Sequence, residues 1–587
     1  VIPVLKQGKP RNLTGSYRPI ALTFQVGKIL EKIVQKRLLH FCEKNSIIPV
    51  NQAGFRKGRC TTDHLVKLTS HIKNQFARRK STLATFFDIK KAYDSVWHTR
   101  LLYKLKLIGI SGMMFQYFKC FLFERSICAR IGRVYSSFQS VDIGIPQGSI
   151  IAPILFTILI HDLPKVLTGN VHLVQYADDI ALWMNTSIRK HTTKRVIDYV
   201  QRIYQLEIDH LNAYMKQNGL VLSGEKTKLM LFNNGDNPKH LPCLILDGET
   251  LCYSQNIKFL GVHLTPKLNW RCYIENIINK ARRILNLLKI ISAQPWGQDT
   301  RTLLHLATSL VRSKLTYGQE VYFTAPLTLL TRLQSIDSKA IKLALGVPVH
   351  TSTLKTYKEA NLLPLSDQRK LSVAKYVTKS LSVSNSITHE VFIDSKKDYP
   401  KRAQQLSSLL SIRTYTTELF EKCCVDISSI QAVPTVPQIP QWEHSKANFD
   451  VDDSISKKEN VNVLKCNVKE LLDTKFYNHL QIYTDGSVSN TSAGSGFVIP
   501  ALKIKKSYCL GKGFSIFTAE LYAIFMALTY ICNSASAIFN IVVCVDSKAV
   551  LYSLQTLSLT VPYHSWINKS TNLCLNKHKK AFSSATT

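Results

Sequence analysis

Two stretches decide the fold: LATFFDIKKAYDSVW (residues 83–97) and LVQYADDIALWM (residues 173–184). The first is an apolar run that ends on Asp88 and then changes toward a helical pattern. The second places Asp178 and Asp179 between two apolar halves, which predicts a β-hairpin with YADD at its turn. Because neighbouring carboxylates repel each other, an acidic turn flanked by strands indicates a divalent metal site. The alternative is solvated turn aspartates, since Asp is a good turn former.

The stretch GIPQGSIIAPILFTILI (residues 144–160) lies between them. Gly144, Pro146 and Gly148 predict a loop whose backbone can come close to a ligand. Two short segments that each contain arginine precede it, SYRPIAL (residues 16–22) and NQAGFRKGRCTTDH (residues 51–64).

The composition indicates a basic protein of several domains. The 587 residues include 76 Lys and Arg against 39 Asp and Glu, a formal charge of +37. Each phosphate that such a protein neutralises releases condensed counterions, so nucleic acid is the expected partner. A basic protein without a particular partner is the alternative. Hydrophobic residues make up 45% of the chain, which excludes wholesale disorder.

The sequence also favours a location inside the cell. The longest apolar run has eleven residues, Ile150–Ile160, and a membrane span needs about 20. No signal peptide is visible, and the 14 cysteines contain no C-x-x-C pair, which favours a reduced compartment. Because the chain begins on Val1 without methionine, we expect it to be cut from a longer protein.

The chain divides into four parts by pattern. Residues 1–264 have an α/β or α+β pattern, and residues 265–379 are mostly helical. Residues 380–475 lose periodicity and contain prolines at 434, 437 and 440, which predicts a linker of low order. A second α/β pattern covers residues 476–587. The apolar stripe of the first helix in the helical part consists of Ile274, Ile277, Ile278, Ala281, Ile284, Leu285 and Leu288.

A second set of carboxylates lies in residues 476–587, where Asp485, Glu520 and Asp546 are the only acidic residues. Asp485 and Asp546 end strand-like runs, and Glu520 lies early in a helical pattern. Two strand ends and one helix start can share a two-metal site. Three unrelated solubility charges are the alternative.

These motifs resemble those of the reverse transcriptases of non-LTR retrotransposons, most closely the jockey-type group. The ordered blocks are YRPIAL, QAGFRKG, FFDIKKAYD, GIPQGS, YADD, LSGEKTK and FLGVHL. The resemblance covers about residues 1–370. It implies a right-hand polymerase with fingers, a ferredoxin-like palm and a helical thumb, in which the basic face around Lys280–Arg283 follows the duplex. A merely solvated helix face is the alternative.

The resemblance implies that Asp88 and Asp178 hold two Mg²⁺ ions, with Mn²⁺ as an alternative. Asp179 completes the triad less directly, and the carbonyl of Ile89 is a further ligand. Nucleotidyl transfer requires two metal ions about 3.5–4 Å apart, one at the attacking oxygen and one at the leaving pyrophosphate.

The resemblance also implies the residues that bind substrate. Arg56 is the first choice for the triphosphate and Arg18 the second, with a helix-facing structural role as the alternative for Arg18. Lys226 matches a lysine that donates a proton to pyrophosphate, although Ser223-Gly224 replaces the usual Asn-Pro, and a surface lysine is the alternative.

Tyr93 matches the family's steric gate against a 2′-hydroxyl, with a core aromatic as the alternative. Gln147, beside Gly148, is expected to contact the incoming nucleotide or its template base. Asp94 is predicted to be the N-cap of the next helix.

The blocks TDGS, TAEL and VDS resemble a ribonuclease H domain. The family's fourth metal-site residue and its His-rich loop have no counterpart after Asp546, so we expect a C-terminally truncated module with weak or absent hydrolysis of hybrids.

The sequence as a whole predicts an RNA-directed DNA polymerase of a retrotransposon. The expected partners are an RNA template, a DNA primer, RNA–DNA hybrid and dNTPs, without a membrane, in nucleus and cytoplasm as a ribonucleoprotein. A catalytically dead remnant that binds nucleic acid, and a ribonuclease behind an inert basic scaffold, are the alternatives.

Overall fold

The computed structural model describes most of the chain. It covers residues 1–293 except 7 and 237, residues 298–393 except 384–385, residues 412–423, residue 430, and residues 461–551 except 490–491, 512–513, 535–540 and 548, together with residue 554. The chain forms two compact units, Val1–Thr435 and Val436–Thr587. The predicted proline-rich segment around residues 434–440 lies outside the described residues.

The first unit combines short strands with many helices. Its strands are β1 Ile2–Leu5, β2 Tyr17–Ile20, β3 Ser81–Phe87, β4 Arg125–Ile127, β5 Arg130–Ile131, β6 Val134–Tyr135, β7 Gln139–Val141, β8 His172–Tyr176, β9 Asp179–Thr186, β10 Lys228–Phe232, β11 Ile245–Leu246, β12 Glu249–Thr250, β13 Cys252–Tyr253, β14 Ile257–Phe259 and β15 Val262–Leu264. Its helices are α1 Gln25–Lys44, α2 Thr61–Ala77, α3 His98–Leu107, α4 Gly112–Leu122, α5 Ala152–Leu159, α6 Lys194–Gln217, α7 Arg271–Ser292, α8 Thr300–Leu306, α9 Ser313–Thr316, α10 Gln319–Tyr322, α11 Leu327–Leu345, α12 Thr353–Glu359, α13 Leu365–Ser382, α14 His389–Ile393 and α15 Ile412–Glu421.

A five-stranded sheet is the centre of this unit, with strand order β13-β10-β3-β9-β8. Every residue of β3 is buried. Because side chains alternate along a strand, Leu83 and Phe87 enter the hydrophobic core on one face of the sheet, whereas Ala84 and Phe86 enter the core on the other. The sheet is therefore covered on both faces, which explains the continuous apolar run that precedes Asp88.

The helical part packs on one of these faces. The core that contains Ala84 and Phe86 also contains the apolar stripe of α7. The stripe prediction is confirmed, since Ile274, Ile277 and Leu288 are buried, while Lys280 and Arg283 are exposed. Helix α7 is thus amphipathic, with its basic face outward.

Part of the segment predicted as a linker is folded against the first unit. Helices α14 and α15 both contact α13, and Phe392 and Ile412 are buried in the core of the helical part. The sequence pattern missed these helices because single apolar anchors in short helices leave no extended periodicity.

The second unit is built on a four-stranded sheet. Its elements are α16 Val461–Lys475, β16 Leu480–Val488, β17 Ala493–Ile499, β18 Ile504–Gly511, α17 Ile516–Ser534 and β19 Ile541–Val545. The strand order is β18-β17-β16-β19. Strand β16 is antiparallel to β17 and parallel to β19, and α17 packs on β16 and β17.

Two further observations concern the described residues alone. Each cysteine among them is unbridged. Their helices include none that is both long and apolar enough to cross a lipid bilayer.

Candidate active site

The YADD sequence forms the predicted hairpin turn. Strands β8 and β9 pair antiparallel up to Tyr176 and Asp179, so Ala177 and Asp178 form the two-residue turn. Ala177 has a φ of 57°, a left-handed conformation that costs a residue with a side chain roughly 1–2 kcal/mol. The turn therefore needs support from its surroundings to hold Asp178 in place.

The sheet brings Asp88 to this turn. Strand β3 pairs antiparallel with β9, ending at Phe87 opposite Ile180, so the next residue, Asp88, lies beside Asp179. Two carboxylates that are far apart in sequence thus meet at one end of the sheet.

Burial and neighbouring charges change the pKa values of the two turn aspartates. Burial and the charge of Asp88 raise the pKa of Asp178, while the charge of Arg18 lowers it in part. Burial by the surrounding protein, followed by the charges of Asp178 and Asp88, raises the pKa of Asp179 to about 6. Each carboxylate therefore destabilises the ionised form of its neighbour, and a nearby cation would relieve this repulsion.

Lys226 lies next to Asp88. Its Nζ is 3.1 Å from Asp88 Oδ2, and both side chains are exposed. The loop that carries Lys226 is fixed by the backbone, because the N–H of Ser223 donates to the carbonyl of Asp88 (2.8 Å). The predicted lysine is therefore beside the carboxylates despite the Ser223-Gly224 replacement.

The carbonyl of Ile89 is oriented away from the neighbouring strand segment. The carbonyl of Asp88 accepts from Ser223, and the N–H of Lys90 donates to the carbonyl of Val221 (2.8 Å). In an antiparallel pair the backbone groups of the intervening residue point to the opposite side. This ladder consequently leaves the Ile89 carbonyl available to another group.

The donor set fits a hard divalent cation in its chemistry. Asp88, Asp178, Asp179 and the carbonyl of Ile89 offer only oxygen atoms, which Mg²⁺ and Mn²⁺ prefer. In their present orientations, however, the described His, Cys, Asp and Glu side chains include no group of three that could hold one metal ion.

The structure disagrees with the predicted role of Arg56. Its side chain is only 7% exposed and forms a two-pronged ion pair with Glu43, with Nε and Nη2 each 2.6 Å from a carboxylate oxygen. Its Nη1 donates to the carbonyls of Pro49 and Gln52. All three guanidinium nitrogens are engaged, so Arg56 joins the end of α1 to the following loop. Arg18 is exposed on β2 and acts on Asp178, which leaves it as the better candidate for a phosphate contact.

Tyr93 lies beside the carboxylates. Burial, followed by the charge of Asp178, raises the pKa of the Tyr93 hydroxyl. Its ring packs at 5.3 Å from the ring of Phe156. The side chain is half-buried, with one edge in the core and the other toward the site.

The Asp94 prediction is wrong. Helix α3 begins at His98 with Trp97 as its N-cap, so Asp94 does not cap it. Instead, Asp94 Oδ1 accepts a hydrogen bond from Gln147 Nε2 (2.8 Å). The hydrogen bond fixes the amide nitrogen of the Gln147 side chain. The position of Gln147 thus depends on a residue 53 positions away in sequence.

The GIPQGS loop is packed too closely for side chains at its glycines. A Cβ on Gly148, whose φ is 117°, would lie 2.6 Å from the carbonyl oxygen of Ala21. The backbone N–H of Ala21 also donates to the carbonyl of Gln147 (2.6 Å). The loop is thereby joined to the strand that carries Arg18.

Three supporting residues were missed by the sequence analysis. Glu31 Oε2 accepts from Ser149 Oγ (2.7 Å) and from the N–H of Ile150 (2.6 Å). Gln52 binds the YADD turn, and His64 Nε2 lies 2.7 Å from the carbonyl of Gln175. Only Glu31 had a sequence signal, because it occupies a core position of α1, in register with Val34, Leu38 and Cys42.

The second carboxylate set also meets in the second unit. Strands β16 and β19 are parallel and paired up to Thr484 and Val545, so Asp546, directly after β19, lies beside Asp485. Asp485 does not end its strand as predicted, because β16 continues to Val488. A Cβ on Gly486 would lie 2.5 Å from the backbone nitrogen of Glu520, which brings the start of α17 against this part of β16. Glu520 Oε2 is buried and has no hydrogen-bond partner among the described residues.

Comparison with known families identifies the type of domain in the first unit. Residues 4–264 match the family model of reverse transcriptases (RNA-dependent DNA polymerases). The matched range contains the YADD turn, the GIPQGS loop and every residue of the first site.

Individual relatives give the same result. The chain is 25% identical over 410 residues to the RNA-directed DNA polymerase from mobile element jockey of Drosophila funebris, covering 69% of this chain and 44% of the relative. It is 24% identical over 382 residues to the probable RNA-directed DNA polymerase from transposon BS of Drosophila melanogaster, covering 64% of this chain and 41% of the relative. The chain thus spans less than half the length of these relatives.

Among solved structures, a telomerase of Candida tropicalis is similar at 13% identity with a TM-score of 0.30, covering 63% of this chain and 57% of that chain.

Proposed function

We propose, from the reverse transcriptase domain at residues 4–264, that this chain is an RNA-directed DNA polymerase of a jockey-type non-LTR retrotransposon. The observation that carries the proposal is the meeting of Asp88 with the YADD turn, where burial, together with the charge of Asp88, raises the pKa of both turn aspartates. The names of the relatives support RNA as template and DNA as product. The substrates are then an RNA template, a DNA primer and dNTPs.

Asp88 and Asp178 would hold the catalytic Mg²⁺ ions, or Mn²⁺, with the Ile89 carbonyl as a further ligand. Such ions activate the primer 3′-hydroxyl and stabilise the leaving pyrophosphate. Asp179 acts mainly through its charge, since its side chain on β9 is open to solvent, although the surrounding protein and the two neighbouring carboxylates raise its pKa. With two carboxylates ionised beside it, Asp179 gives the site the negative charge that concentrates divalent cations.

Lys226 neutralises Asp88 at 3.1 Å. Its ammonium group is proposed to bind the pyrophosphate oxygens and to donate a proton to them. Arg18 supplies a second positive charge on the strand next to the GIPQGS loop. The two side chains flank the carboxylates and suit the triphosphate of an incoming nucleotide.

Tyr93 and Gln147 are proposed to select the nucleotide. The Tyr93 ring is held by Phe156 next to Asp178, where it would meet the sugar of a nucleotide at the metals. A 2′-hydroxyl would clash with it. Gln147, held by Asp94 through its Nε2, keeps its side-chain oxygen for the nucleotide or its template base.

The exposed basic face of α7 would follow the backbone of the primer–template duplex. Lys280 and Arg283 lie on this face and border a polar groove that also includes Asn276 and Asn279. Amide and cationic side chains together suit phosphate and sugar oxygens rather than bases.

A second candidate function is weak cleavage of RNA in RNA–DNA hybrids by the second unit. Asp485 on β16 and Asp546 directly after the parallel strand β19, with Glu520 packed beside Gly486, have the composition of a two-metal hydrolytic site. The unpartnered, buried Oε2 of Glu520 supports this proposal, because an unsatisfied buried carboxylate is costly without a ligand. Release of fragments from a labelled hybrid, lost in Asp485→Asn, tests it; a wild-type chain without cleavage contradicts it.

Primer extension tests the main proposal. We expect Mg²⁺-dependent extension of a DNA primer on RNA by the wild-type chain, and none by Asp178→Asn, with hybrid binding retained. Asp198→Asn, an exposed carboxylate on α6, is the matched control and should extend normally. Hybrid binding without dNTP incorporation by the wild-type chain would instead support the dead-remnant alternative.

A further inference from the structure

An exposed hairpin precedes the GIPQGS loop. Residues 125–141, here called the arginine hairpin, contain β4 paired with β7 and β5 paired with β6. Four large apolar side chains on it are 60–74% exposed, and they are Ile131, Val134, Tyr135 and Phe138. A cluster of this kind on a protruding hairpin marks an interaction surface.

The charge of the arginine hairpin has one sign. Arg130 and Arg133 are exposed, whereas Arg125 donates to the carbonyls of Leu122 and Gly144 at the base of the hairpin. No Asp or Glu lies between residues 125 and 141. The neighbouring first strand has the same character, because residues 1–30 also contain no acidic residue. The basic residues of that segment are Lys6, Lys9, Arg11, Arg18 and Lys28. The basic side chains of both segments therefore attract a polyanion, and the acidic residues nearest the hairpin, Glu124 and Asp142, adjoin it at its base.

The two segments form one surface. The backbone N–H of Arg130 donates to the carbonyl of Val1 (2.8 Å), and β5 contacts β1. Strand β1 pairs with β2 so that Val4 lies opposite Arg18, whose charge acts on Asp178. The surface consequently leads from the hairpin to the carboxylates.

The C-terminal end of the arginine hairpin is close in sequence to the GIPQGS loop. Strand β7 ends at Val141, and Gly144, the first residue of the GIPQGS loop, is three residues further on, a distance of at most about 10 Å along the chain. A strand of nucleic acid lying on the hairpin would thus be within reach of Gln147 and the YADD turn.

The chemistry of the hairpin favours a single strand over a duplex. Exposed rings such as Tyr135 and Phe138 can stack on bases only where the bases are unpaired. The guanidinium of Arg130 lies over the Tyr135 ring at 5.6 Å, so one cation and one aromatic face are presented together. This combination of stacking faces and phosphate-binding cations is how sequence-tolerant single-strand sites are built.

We propose that the arginine hairpin binds single-stranded RNA, namely the part of the template that has not yet been copied. The assignment to template RNA rests on the proposed function, whereas single-strand binding rests on the hairpin alone. Duplex binding is assigned to the α7 face and is not expected to depend on the hairpin.

Equilibrium binding in EDTA without nucleotides tests the proposal. The probes are a fluorescent single-stranded RNA of about 12 nucleotides, the DNA of the same sequence and the matching RNA–DNA hybrid. We expect Tyr135→Ala with Phe138→Ala to weaken single-stranded RNA binding about tenfold or more and to change hybrid binding by less than about twofold. Arg130→Gln with Arg133→Gln should reduce the salt dependence for the single strand by about 1.4 logarithmic units per decade.

Tyr199→Ala with Arg195→Gln, an exposed pair one turn apart on α6, is the matched control and should bind like the wild-type chain. All variants alter exposed side chains, so equal thermal stability verifies their folding. Loss of RNA binding, with or without loss of DNA binding, supports the proposal. Unchanged RNA binding, equal loss for the hybrid, loss for DNA alone, or dispersal of a self-associated form with RNA binding intact would overturn it.

The assay is independent of catalysis. If the wild-type chain does not extend primers but the hairpin variants lose single-stranded RNA binding, the hairpin assignment stands and the polymerase proposal fails. If the wild-type chain extends primers but the hairpin variants bind single-stranded RNA as the wild-type chain does, the polymerase proposal stands and the hairpin assignment fails.

Discussion

The side-chain oxygen of Gln52 accepts hydrogen bonds from the backbone N–H of Ala177 (3.1 Å) and of Gly54 (2.9 Å). Gln52 is 1% exposed, and its backbone pairs with β8 at Gln175. One buried amide thus holds the left-handed residue that precedes Asp178. A Cβ on Gly54 would lie 2.7 Å from the Ala177 nitrogen, so only glycine permits this approach.

Replacing Gln52 by leucine should disturb both the site and the fold. Two buried N–H groups lose their acceptor, which destabilises the protein by roughly 1–3 kcal/mol for each, and Ala177 is free to leave its left-handed conformation. We expect kcat of primer extension to fall at least about tenfold and the Mg²⁺ concentration for half-maximal rate to rise. The measurement is steady-state extension across a Mg²⁺ titration.

Gln319→Leu, which alters another buried glutamine in α10, is the control for lost stability. It should reduce the free energy of unfolding without a change in the Mg²⁺ requirement. An unaltered Mg²⁺ requirement and kcat in Gln52→Leu would show that Gln52 supports the fold alone.

His64 should make the stability of the first unit sensitive to acid. Burial lowers the pKa of His64 to about 4, its Nδ1 is buried without a hydrogen-bond partner, and the unfolded chain titrates near 6.5. Between these values the unfolded state binds more protons, so stability is lost as the pH falls from 6.5 toward 4. From this group alone we expect a loss of about 2 kcal/mol at pH 5.

His64→Gln keeps a donor for the Gln175 carbonyl and does not titrate. Urea unfolding of both proteins at pH 7.5 and pH 5 should show a smaller loss in the variant. Equal losses in the two proteins would mean that His64 accepts a proton without penalty in the folded state.

Tyr93 should control the choice of sugar. Tyr93→Val removes the ring beside Asp178, so the space for a 2′-hydroxyl opens, and we expect the preference for dNTP over rNTP to fall roughly 10- to 100-fold. Tyr93→Phe keeps the ring and should retain the preference. The measurement is kcat/KM for a dNTP and the matching rNTP on one RNA template. Equal preference in Tyr93→Val and the wild-type chain would assign Tyr93 to the core.

Gly486 should be irreplaceable in the second unit. In Gly486→Val a Cβ would lie 2.5 Å from the backbone nitrogen of Glu520 and 2.8 Å from the carbonyl carbon of Ala519, so α17 must move. We expect a loss of about 2–3 kcal/mol, measured as a lower Tm of the second unit, together with lost cleavage of hybrids.

Gly494→Ala on β17 is the matched control, because its Cβ would meet Ser487 Oγ at 3.4 Å, an ordinary contact. It should leave the Tm nearly unchanged. A normal Tm in Gly486→Val would mean that the start of α17 is not tightly held against β16.

The sequence predicted the parts of the site that depend on local pattern. A carboxylate at the end of a buried apolar run, an acidic pair between two apolar halves and a 3.6-residue apolar stripe are each visible within about 20 residues. The strand before Asp88, the YADD hairpin and helix α7 were therefore predicted correctly. The two strand regions follow from continuous apolar runs and the helix from a 3.6-residue apolar spacing, which the chain carries in its own order.

The tertiary structure alone decided which side chains are available and which support others. Arg56 and Arg18 are both arginines in short motifs, yet the first is held by Glu43 and the second is exposed beside Asp178. Gln52 meets Ala177 across 125 residues of sequence, and Glu31 meets Ser149 across 118. Such hydrogen bonds depend on the distance and direction of two atoms after the chain has packed, and residue type along the chain encodes neither.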